Sequence, residues 1–334
     1  MAIRRVLLVV AFALTVLATV FCTQTRAGVL EASWADLYSV TAMTGRLFQG
    51  HYHLVGVKKY FNSFTSYQFP NPFAPQLDPL SRLEFPIDQS FLGIEAGCVT
   101  TAWALRGQVW TNINRDSNLK MQDSDWEDET NPGQKTVFSE SACRLNRGWL
   151  VDLQLSAATP TLMVPLFRPV VGGRYEHFYF TTHDGVQTAL GGPTIDLPGD
   201  GIDFRQTFYH LYAGVILDRE VSLSSVWPYL PPLKLDLQFD YAAVIAKNED
   251  LHLLRSGERI TIENTRGHCW HLALGSGCQV TSRFKARIEA DFKRLITHGG
   301  HQLTNNVFAI NFSFDGSRVW SDQFAVSAMG EVLF

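Results

Sequence analysis

The sequence has little of several features that would assign it to a familiar class. Only five cysteines occur in 334 residues, and their spacing matches no zinc framework. The net charge of −4 excludes a strongly basic surface, so we expect no nucleic-acid partner. After residue 27 no apolar run reaches the ~18 residues of a membrane-spanning helix. A phosphate-binding loop and a Ser-His-Asp signature are also absent from the sequence.

The amino terminus has the pattern of a secretory signal peptide. Arg4 and Arg5 precede an apolar run of 16 residues, Val6 to Phe21, and a small residue follows at Ala27. The alternative is a membrane-spanning helix that stays attached, for which this run is short. We predict a signal peptide over residues 1–27 and a single domain over residues 28–334. In an oxidising compartment, Cys269 and Cys278 could form a disulfide within a hairpin, which is a minor alternative for this chain.

Most of the remaining chain alternates apolar and polar residues with a period of two, which is typical of β-strands. Residues 284–292 read FKARIEADF, and residues 235–241 and 149–155 repeat the pattern. The polar face carries full charges of both signs, which favours a closed barrel with lipid outside and a polar lumen. A water-soluble antiparallel sheet is the alternative.

About ten strands can be counted, so the sequence predicts an all-β fold, a ten-stranded antiparallel transmembrane β-barrel. Short turns are expected on one rim at Ala157–Pro160 and Leu274–Gly277. Polar stretches are expected as long loops on the other rim, as is the segment from Tyr60 to Pro79. Those stretches are residues 114–135, 182–202, 247–258 and 297–320.

Two short segments carry groups that can handle protons. Asp123 and Asp125 are two residues apart, as are Asp250 and His252, and on a strand such residues share a face. A close carboxylate pair can share a proton, and a histidine oriented by a carboxylate can act as a general base. Alone, the acids around Asp123 would suggest a solvated loop that binds a cation, and an Asp-x-His triplet is mostly structural. Together the two pairs could activate a water molecule.

The two segments together resemble the omptin family, the outer-membrane aspartyl-type proteases of Gram-negative bacteria. Residues 123–133, DSDWEDETNPG, resemble the family's Asp-x-Asp-Trp-x-Asp-x-x-Asn-Pro-Gly loop, and Gly148-Trp149-Leu150 matches a following strand. Asp250-Leu251-His252 and residues 256–261, SGERIT, resemble the family's Asp-x-His loop and its exit strand. The resemblance runs unevenly from about residue 80 to the carboxyl terminus.

The resemblance implies a barrel of the omptin type in the bacterial outer membrane, with an active cleft at the extracellular rim. Asp250 would orient His252, which would take a proton from the attacking water. Asp123 and Asp125 would face them, position the water and stabilise the intermediate. No metal, other cofactor or covalent intermediate is implied, and the substrate would be a peptide or protein.

The resemblance also implies substrate and lipid contacts. Asn248 stands where relatives that cut between basic residues carry an acid, and Glu249 and Glu127 could still favour basic substrates. Lipopolysaccharide, a candidate activator, would bind the outer wall through Arg174, Glu176 and Arg205. Phe178 and Thr207 stand where two arginines are expected. The other expected partner is the lipid of the outer membrane.

Two alternatives remain at this point. The sequences His51-Tyr52-His53 and His268-Cys269-Trp270-His271 offer metal-ligand types, but neither supplies the three or four ligands that a site needs. The second alternative keeps the barrel and loses proteolysis, leaving a porin, an adhesin or another surface protein. The presence of all four catalytic-type residues favours an endopeptidase.

Overall fold

The computed structural model describes residues 50–73, 77–99, 103–157, 167–222, 231–257, 259–281 and 284–332. The predicted signal peptide lies outside these ranges. The described residues form thirteen strands, and none of their segments is a helix that could cross a membrane. The strands are β1 Gly50–Tyr60, β2 Ser63–Phe69, β3 Ser81–Ile87, β4 Ser90–Val99, β5 Trp103–Asn112, β6 Met121–Asp125, β7 Val137–Ala157, β8 Phe167–Ala189, β9 Thr194–Val221, β10 Leu233–His252, β11 Arg259–Thr281, β12 Phe284–Asn305 and β13 Ile310–Val332.

The strands close into a ten-stranded antiparallel ring, as the sequence predicts. Each strand from β7 to β13 runs the height of the barrel, whereas β1 and β2, β3 and β4, and β5 and β6 are halves of interrupted strands. Around the lower half, β13 pairs with β1 and the order continues through β4 and β5 to β7. Around the upper half, β13 pairs with β2 and the order continues through β3 and β6 to β7. The upper end is therefore the end away from the start of β1 and the end of β13.

The period-two pattern sorts apolar side chains to the outside of the lower half. On β12, Ile288 is 59 % exposed, whereas Glu289 and Asp291 are 6 % and 3 % exposed. Exposed apolar residues of other strands extend this surface around the barrel, as a lipid-facing wall requires. We call this surface the apolar belt; its members include Val55, Val57, Leu92, Ile94, Leu105, Leu153, Val171, Leu211, Tyr241, Trp270 and Ile288.

Ion pairs fill the lumen at the level of the belt. Glu176 on β8 forms a buried salt bridge with Lys293 on β12, four strands away around the ring. Arg106 on β5 lies 3.2 Å from Glu289 of β12, again across the lumen. Each of these four charges has an opposite charge beside it, which offsets the cost of its burial.

An aromatic cluster lies above these ion pairs. Phe85 and Phe204 stack with ring centroids 4.1 Å apart, and Tyr67 stacks on Phe204 at 5.4 Å. Phe178 and Phe180 complete the layer, and all five side chains are fully buried. The polar lumen expected from the sequence is therefore interrupted by an apolar layer. This layer lies between the ion pairs and the residues at the upper end.

Several expected turns and loops are strands instead. Leu274–Gly277 lies inside β11, paired with β10 on one side and β12 on the other, so the turn predicted there is wrong. The disulfide alternative also fails, because Cys269 and Cys278 lie nine residues apart on that one strand, about 30 Å at ~3.3 Å per residue. In the turn predicted at Ala157–Pro160, residues 158–160 lie outside the described ranges, and Ala157 ends β7.

The stretches expected as long loops do meet at the upper end, but mostly as hairpins. Residues 182–202 continue β8 and β9 around a turn at 190–193, and residues 297–320 continue β12 and β13 around a turn at 306–309. Residues 247–252 complete β10, and β6 and β2 occupy parts of the segments 114–135 and 60–79. The barrel wall therefore rises well above the apolar belt.

Candidate active site

The carboxylate pair lies on β6, the short upper half-strand. Asp123 is the cross-strand neighbour of Leu83 and Ser139, and Asp125 is the neighbour of Ser81. The strand ends after Asp125, where the Trp126 backbone N–H donates to the carbonyl of Leu80. Alternation of the strand directs both carboxylates to the same side, as the spacing predicts.

Burial and mutual repulsion favour the protonated form of this pair. Burial raises the pKa of Asp123 well above its usual range, and the charges of Asp125 and Asp250 raise it further. Burial also raises the pKa of Asp125, although a hydrogen bond from Ser81 and the charge of Arg255 oppose the shift. Because burial and the second carboxylate both oppose full ionisation, we expect the pair to share a proton more readily than two separate carboxyls would, mainly on Asp123.

The histidine pair lies at the end of β10. Asp250 is completely buried, and its Oδ1 lies 3.5 Å from Nε2 of His252, whose side chain is 16 % exposed. Burial lowers the pKa of His252; Asp250 opposes that shift, while Arg259 and Arg255 add to it. The imidazole is therefore neutral near pH 7 and can accept a proton.

The two pairs lie on opposite walls at the upper end of the barrel, and we call the space between these walls the cleft. Strands β6 and β10 are separated by β7, β8 and β9 in the ring of ten. Asp250 is close enough to influence the titration of Asp123, and Asp125 influences that of His252. An imidazole base on one wall and a carboxyl pair that can donate a proton on the other can bind a water molecule between them.

A buried polar row lies one step below Asp250. Asn248 is the cross-strand neighbour of Gln206 on one side and Glu263 on the other, and Glu263 is the neighbour of His301. Oε1 of Glu263 lies 2.8 Å from Nδ1 of His301, whose ring stacks on Phe69 with centroids 4.3 Å apart. Burial raises the pKa of Glu263, although His301 opposes the shift. This row forms the floor of the cleft.

The sequence reasoning did not single out Tyr67, Ser81, Glu263 or His301 as site residues. The Tyr67 hydroxyl donates a hydrogen bond to Oδ2 of Asp250 from the far wall. Strand pairing could have identified Glu263, since the pairing of β10 with β11 brings it opposite Asn248. Nothing in the local sequence indicates Tyr67, because its contact depends on closure of the ring.

The three expected substrate contacts are not grouped together. Asn248 faces inwards and is completely buried in the floor. Glu249 faces the outer wall, where Arg205 lies 2.8 Å away, so its assignment to the cleft is wrong. Glu127 is exposed in the turn between β6 and β7, and its backbone N–H donates to the Thr136 hydroxyl.

Two of the three expected lipopolysaccharide contacts are also wrong. Arg174 and Glu176 are 6 % and 2 % exposed and face the lumen, where they form ion pairs with Asp240 and Lys293. Neither side chain is therefore available to lipid. Arg205 does lie on the outer wall, more than half exposed. The outward positions of β8 in this region are Tyr175, His177 and Tyr179, and Thr207 and Lys247 face outwards on the strands beside them.

In the candidate ligand cluster at residues 268–271, two side chains are buried. His271 packs into the lumen with Nδ1 2.7 Å from Asp240, and Cys269 is buried. All four cysteines in the described ranges, Cys98, Cys143, Cys269 and Cys278, are free. Within those ranges no group of three or more His, Cys, Asp or Glu side chains is arranged to hold a metal ion.

Comparison with known proteins identifies the fold and the family. The crystal structure of the outer membrane protease OmpT from Escherichia coli superposes with a TM-score of 0.72 and 16 % identity, covering 85 % of this chain and 97 % of that one. The translocator domain of the autotransporter NalP from Neisseria meningitidis superposes with a TM-score of only 0.37 and 8 % identity, over 94 % and 99 % of the two chains. A search of curated proteins gives no match. The model of the omptin family matches residues 80–314, which is most of the chain. The barrel and this match imply a protein of the bacterial outer membrane, and the chain belongs to the omptin family.

Proposed function

We propose that this protein is an outer-membrane endopeptidase in which His252 activates a water molecule for attack on a peptide bond. The observation that carries the proposal is the pairing of unlike groups across one cleft. On one wall a buried Asp250 accompanies a neutral imidazole, and on the other burial favours a shared proton on Asp123 and Asp125. Groups whose surroundings push their pKa values apart can serve as acid and base in one reaction.

The chemistry requires no covalent intermediate. Nε2 of His252 faces Asp250. Nδ1 is then the ring nitrogen that takes a proton from water as the water oxygen bonds to the scissile carbonyl carbon. Asp250 stabilises the imidazolium that forms. The proton held by Asp123 and Asp125 is donated as a hydrogen bond to the developing oxyanion. Collapse of the intermediate breaks the C–N bond, and His252 returns its proton to the leaving amine.

The apolar belt supports an orientation with the cleft outside the cell. The belt surrounds the lower half, and the candidate site lies in the wall above it, at the end away from the described termini. In outer-membrane barrels the longer connections generally face the outside. Peptides and proteins outside the cell would then be the substrates.

Lipopolysaccharide remains a candidate activator, with a different set of contacts from the one first expected. The outer wall above the belt presents cationic and aromatic side chains, a combination suited to phosphate and acyl groups. This outer face comprises Arg147, Tyr175, His177, Tyr179, Arg205, Tyr209 and Lys247.

The alternative of a porin is disfavoured by the lumen. Buried ion pairs such as Glu176–Lys293 and Arg106–Glu289 cross it at the level of the belt. A passage for solutes would require these pairs to separate. An adhesin or other non-proteolytic surface protein remains the outcome if no peptide is cleaved.

Cleavage of a peptide library by the refolded protein, with lipopolysaccharide supplied, tests the proposal. We expect wild-type cleavage, and a loss of about 1,000-fold or more in kcat for His252→Ala, since the base is removed. The matched control is His183→Ala, because His183 also pairs with an aspartate, Asp184 at 2.8 Å, but on the exposed β8–β9 hairpin. Absence of cleavage, or equal activity of His252→Ala and wild type, would contradict the proposal.

A further inference from the structure

A hydrogen bond joins the two walls of the cleft. Tyr67 lies on β2, in the same cross-strand row as Leu83 and Asp123, on the wall that carries the carboxylate pair. Its hydroxyl donates to Oδ2 of Asp250 on the opposite wall. Both side chains are completely buried. Burial and the neighbouring negative charges raise the pKa of Tyr67 well above its usual range, so the phenol keeps its proton and acts as a donor.

Asp250 has few other partners. Its Oδ1 makes no hydrogen bond within the described ranges, and Nε2 of His252 lies 3.5 Å from it. A buried carboxylate held at one oxygen can present only the other to the imidazole. The Tyr67 hydroxyl therefore determines which oxygen of Asp250 faces His252, and at what angle.

The ring of Tyr67 is itself held firmly. It stacks on Phe204 at 5.4 Å with an interplanar angle of 17°, and on Phe69 at 6.4 Å. Phe204, on which the Tyr67 ring stacks, is the cross-strand neighbour of Asp250. The two residues therefore lie on adjacent, hydrogen-bonded strands. The hydroxyl is thus fixed relative to Asp250, as a preorganised site requires.

We propose that Tyr67 is a positioning residue for the Asp250–His252 pair, acting through a hydrogen bond to the carboxylate that orients the imidazole base. The proposal rests on the proposed function for its kinetic consequence. Tyr67 lies on the β6 side of the cleft and Asp250 on the opposite side. Residues of both walls therefore help to orient the base, His252. Tyr67 does not contact the scissile bond.

The kinetic test is Tyr67→Phe, which removes the hydroxyl and retains the stacked ring. Losing a hydrogen bond to a buried charge should lower kcat about 10- to 100-fold. KM should stay within about twofold, because substrate contacts are unchanged. The matched control is Tyr60→Phe, since Tyr60 is equally buried but its hydroxyl has no partner in the described residues. A kcat for Tyr67→Phe equal to or above that of Tyr60→Phe would overturn the proposal.

An NMR titration of His252 gives a readout that does not depend on proteolysis. The groups facing the imidazole are Asp250, Arg255, Arg259, Asp125 with its partner Asp123, and Tyr67 through Asp250. Without the hydroxyl, more of the negative charge of Asp250 is available to the imidazolium. The pKa of His252 should then rise in Tyr67→Phe and stay at the wild-type value in Tyr60→Phe. A pKa of His252 in Tyr67→Phe equal to that in Tyr60→Phe would contradict the positioning role.

The two readouts separate the two proposals. Wild-type protein that cleaves no peptide would defeat the proposed function, and the titration would still decide whether Tyr67 controls the imidazole. Wild-type protein that cleaves, with Tyr67→Phe matching wild type in both readouts, would defeat the role of Tyr67 alone.

Discussion

Nε2 of His252 lies 3.5 Å from Oδ1 of Asp250, and the two residues are neighbours on the same face at the end of one strand. The carboxylate is buried and the imidazole borders the cleft, so one ring nitrogen faces the protein and the other can face a water molecule. A base in this arrangement can be tested through the groups that surround it.

The carboxylate pair should respond unequally to neutralisation. Asp123 has the more strongly raised pKa, so Asp123→Asn resembles the protonated group that is already present. Asp125→Asn removes the remaining charge of the pair. We expect a fall in kcat of about 10-fold for Asp123→Asn and about 100-fold or more for Asp125→Asn. Steady-state kinetics at pH 7 measure both, and a larger loss in Asp123→Asn would contradict the assignment of the proton.

The pH dependence should report His252. Burial, Arg259 and Arg255 lower its pKa, so activity should persist into mildly acidic solution and fall only as pH drops through that lowered value. Removing a positive charge with Arg255→Gln should raise the pKa of His252 and move the acid limb of kcat/KM about 0.5 pH unit upwards.

The control for this shift is Arg115→Gln. Arg115 is exposed and is not among the charges that act on His252. Its profile should coincide with that of wild type. An acid limb that does not move in Arg255→Gln would argue against His252 as the base.

The lumen should contribute stability through paired charges. Lys293→Met leaves Glu176 buried without its cation, which should cost about 3–5 kcal/mol of unfolding free energy. Adding Glu176→Gln should recover much of that loss, because no uncompensated charge then remains. Urea unfolding of the refolded barrel compares wild type, the single variant and the double variant. Equal stability of the single and double variants would show that the pair carries no such coupling.

Lipopolysaccharide activation, if present, should depend on the outer wall. Arg205→Gln should raise the lipopolysaccharide concentration for half-maximal activity about two- to fivefold, since an exposed charge contributes modestly. Arg144→Gln is the control, because Arg144 is also an arginine near the surface, partly exposed and paired with Asp200 at 2.8 Å. If the lipopolysaccharide concentration for half-maximal activity rises equally in both variants, a specific contact at Arg205 is excluded.

The barrel could be predicted because its signal repeats along the chain. Charges of both signs alternate with apolar residues on β12 and β10, and the structure turns the charges inwards and the apolar residues outwards. Turns were less predictable. Leu274–Gly277 is rich in small residues, but pairing on both sides keeps it in β11.

The sequence predicted less well whether an individual strand residue faces outwards or into the barrel. Arg174 and Glu176 were assigned to the outer wall, whereas Tyr175 and His177 occupy it. A shift of one residue along a strand exchanges the two faces, so a loose motif match cannot decide between them. The same alternation turns Glu249 away from the cleft while Asn248 and Asp250 face inwards. Contacts that depend on ring closure, such as Tyr67 with Asp250, have no local signal in the sequence.

A crystal structure at a resolution that shows ordered water tests the central claim most directly. The account predicts one water within about 3.2 Å of both the free nitrogen of His252 and a carboxylate oxygen of Asp123 or Asp125. That water should be lost or displaced in His252→Ala. Two walls separated by bulk solvent, or a His252 ring turned away from β6, would contradict it.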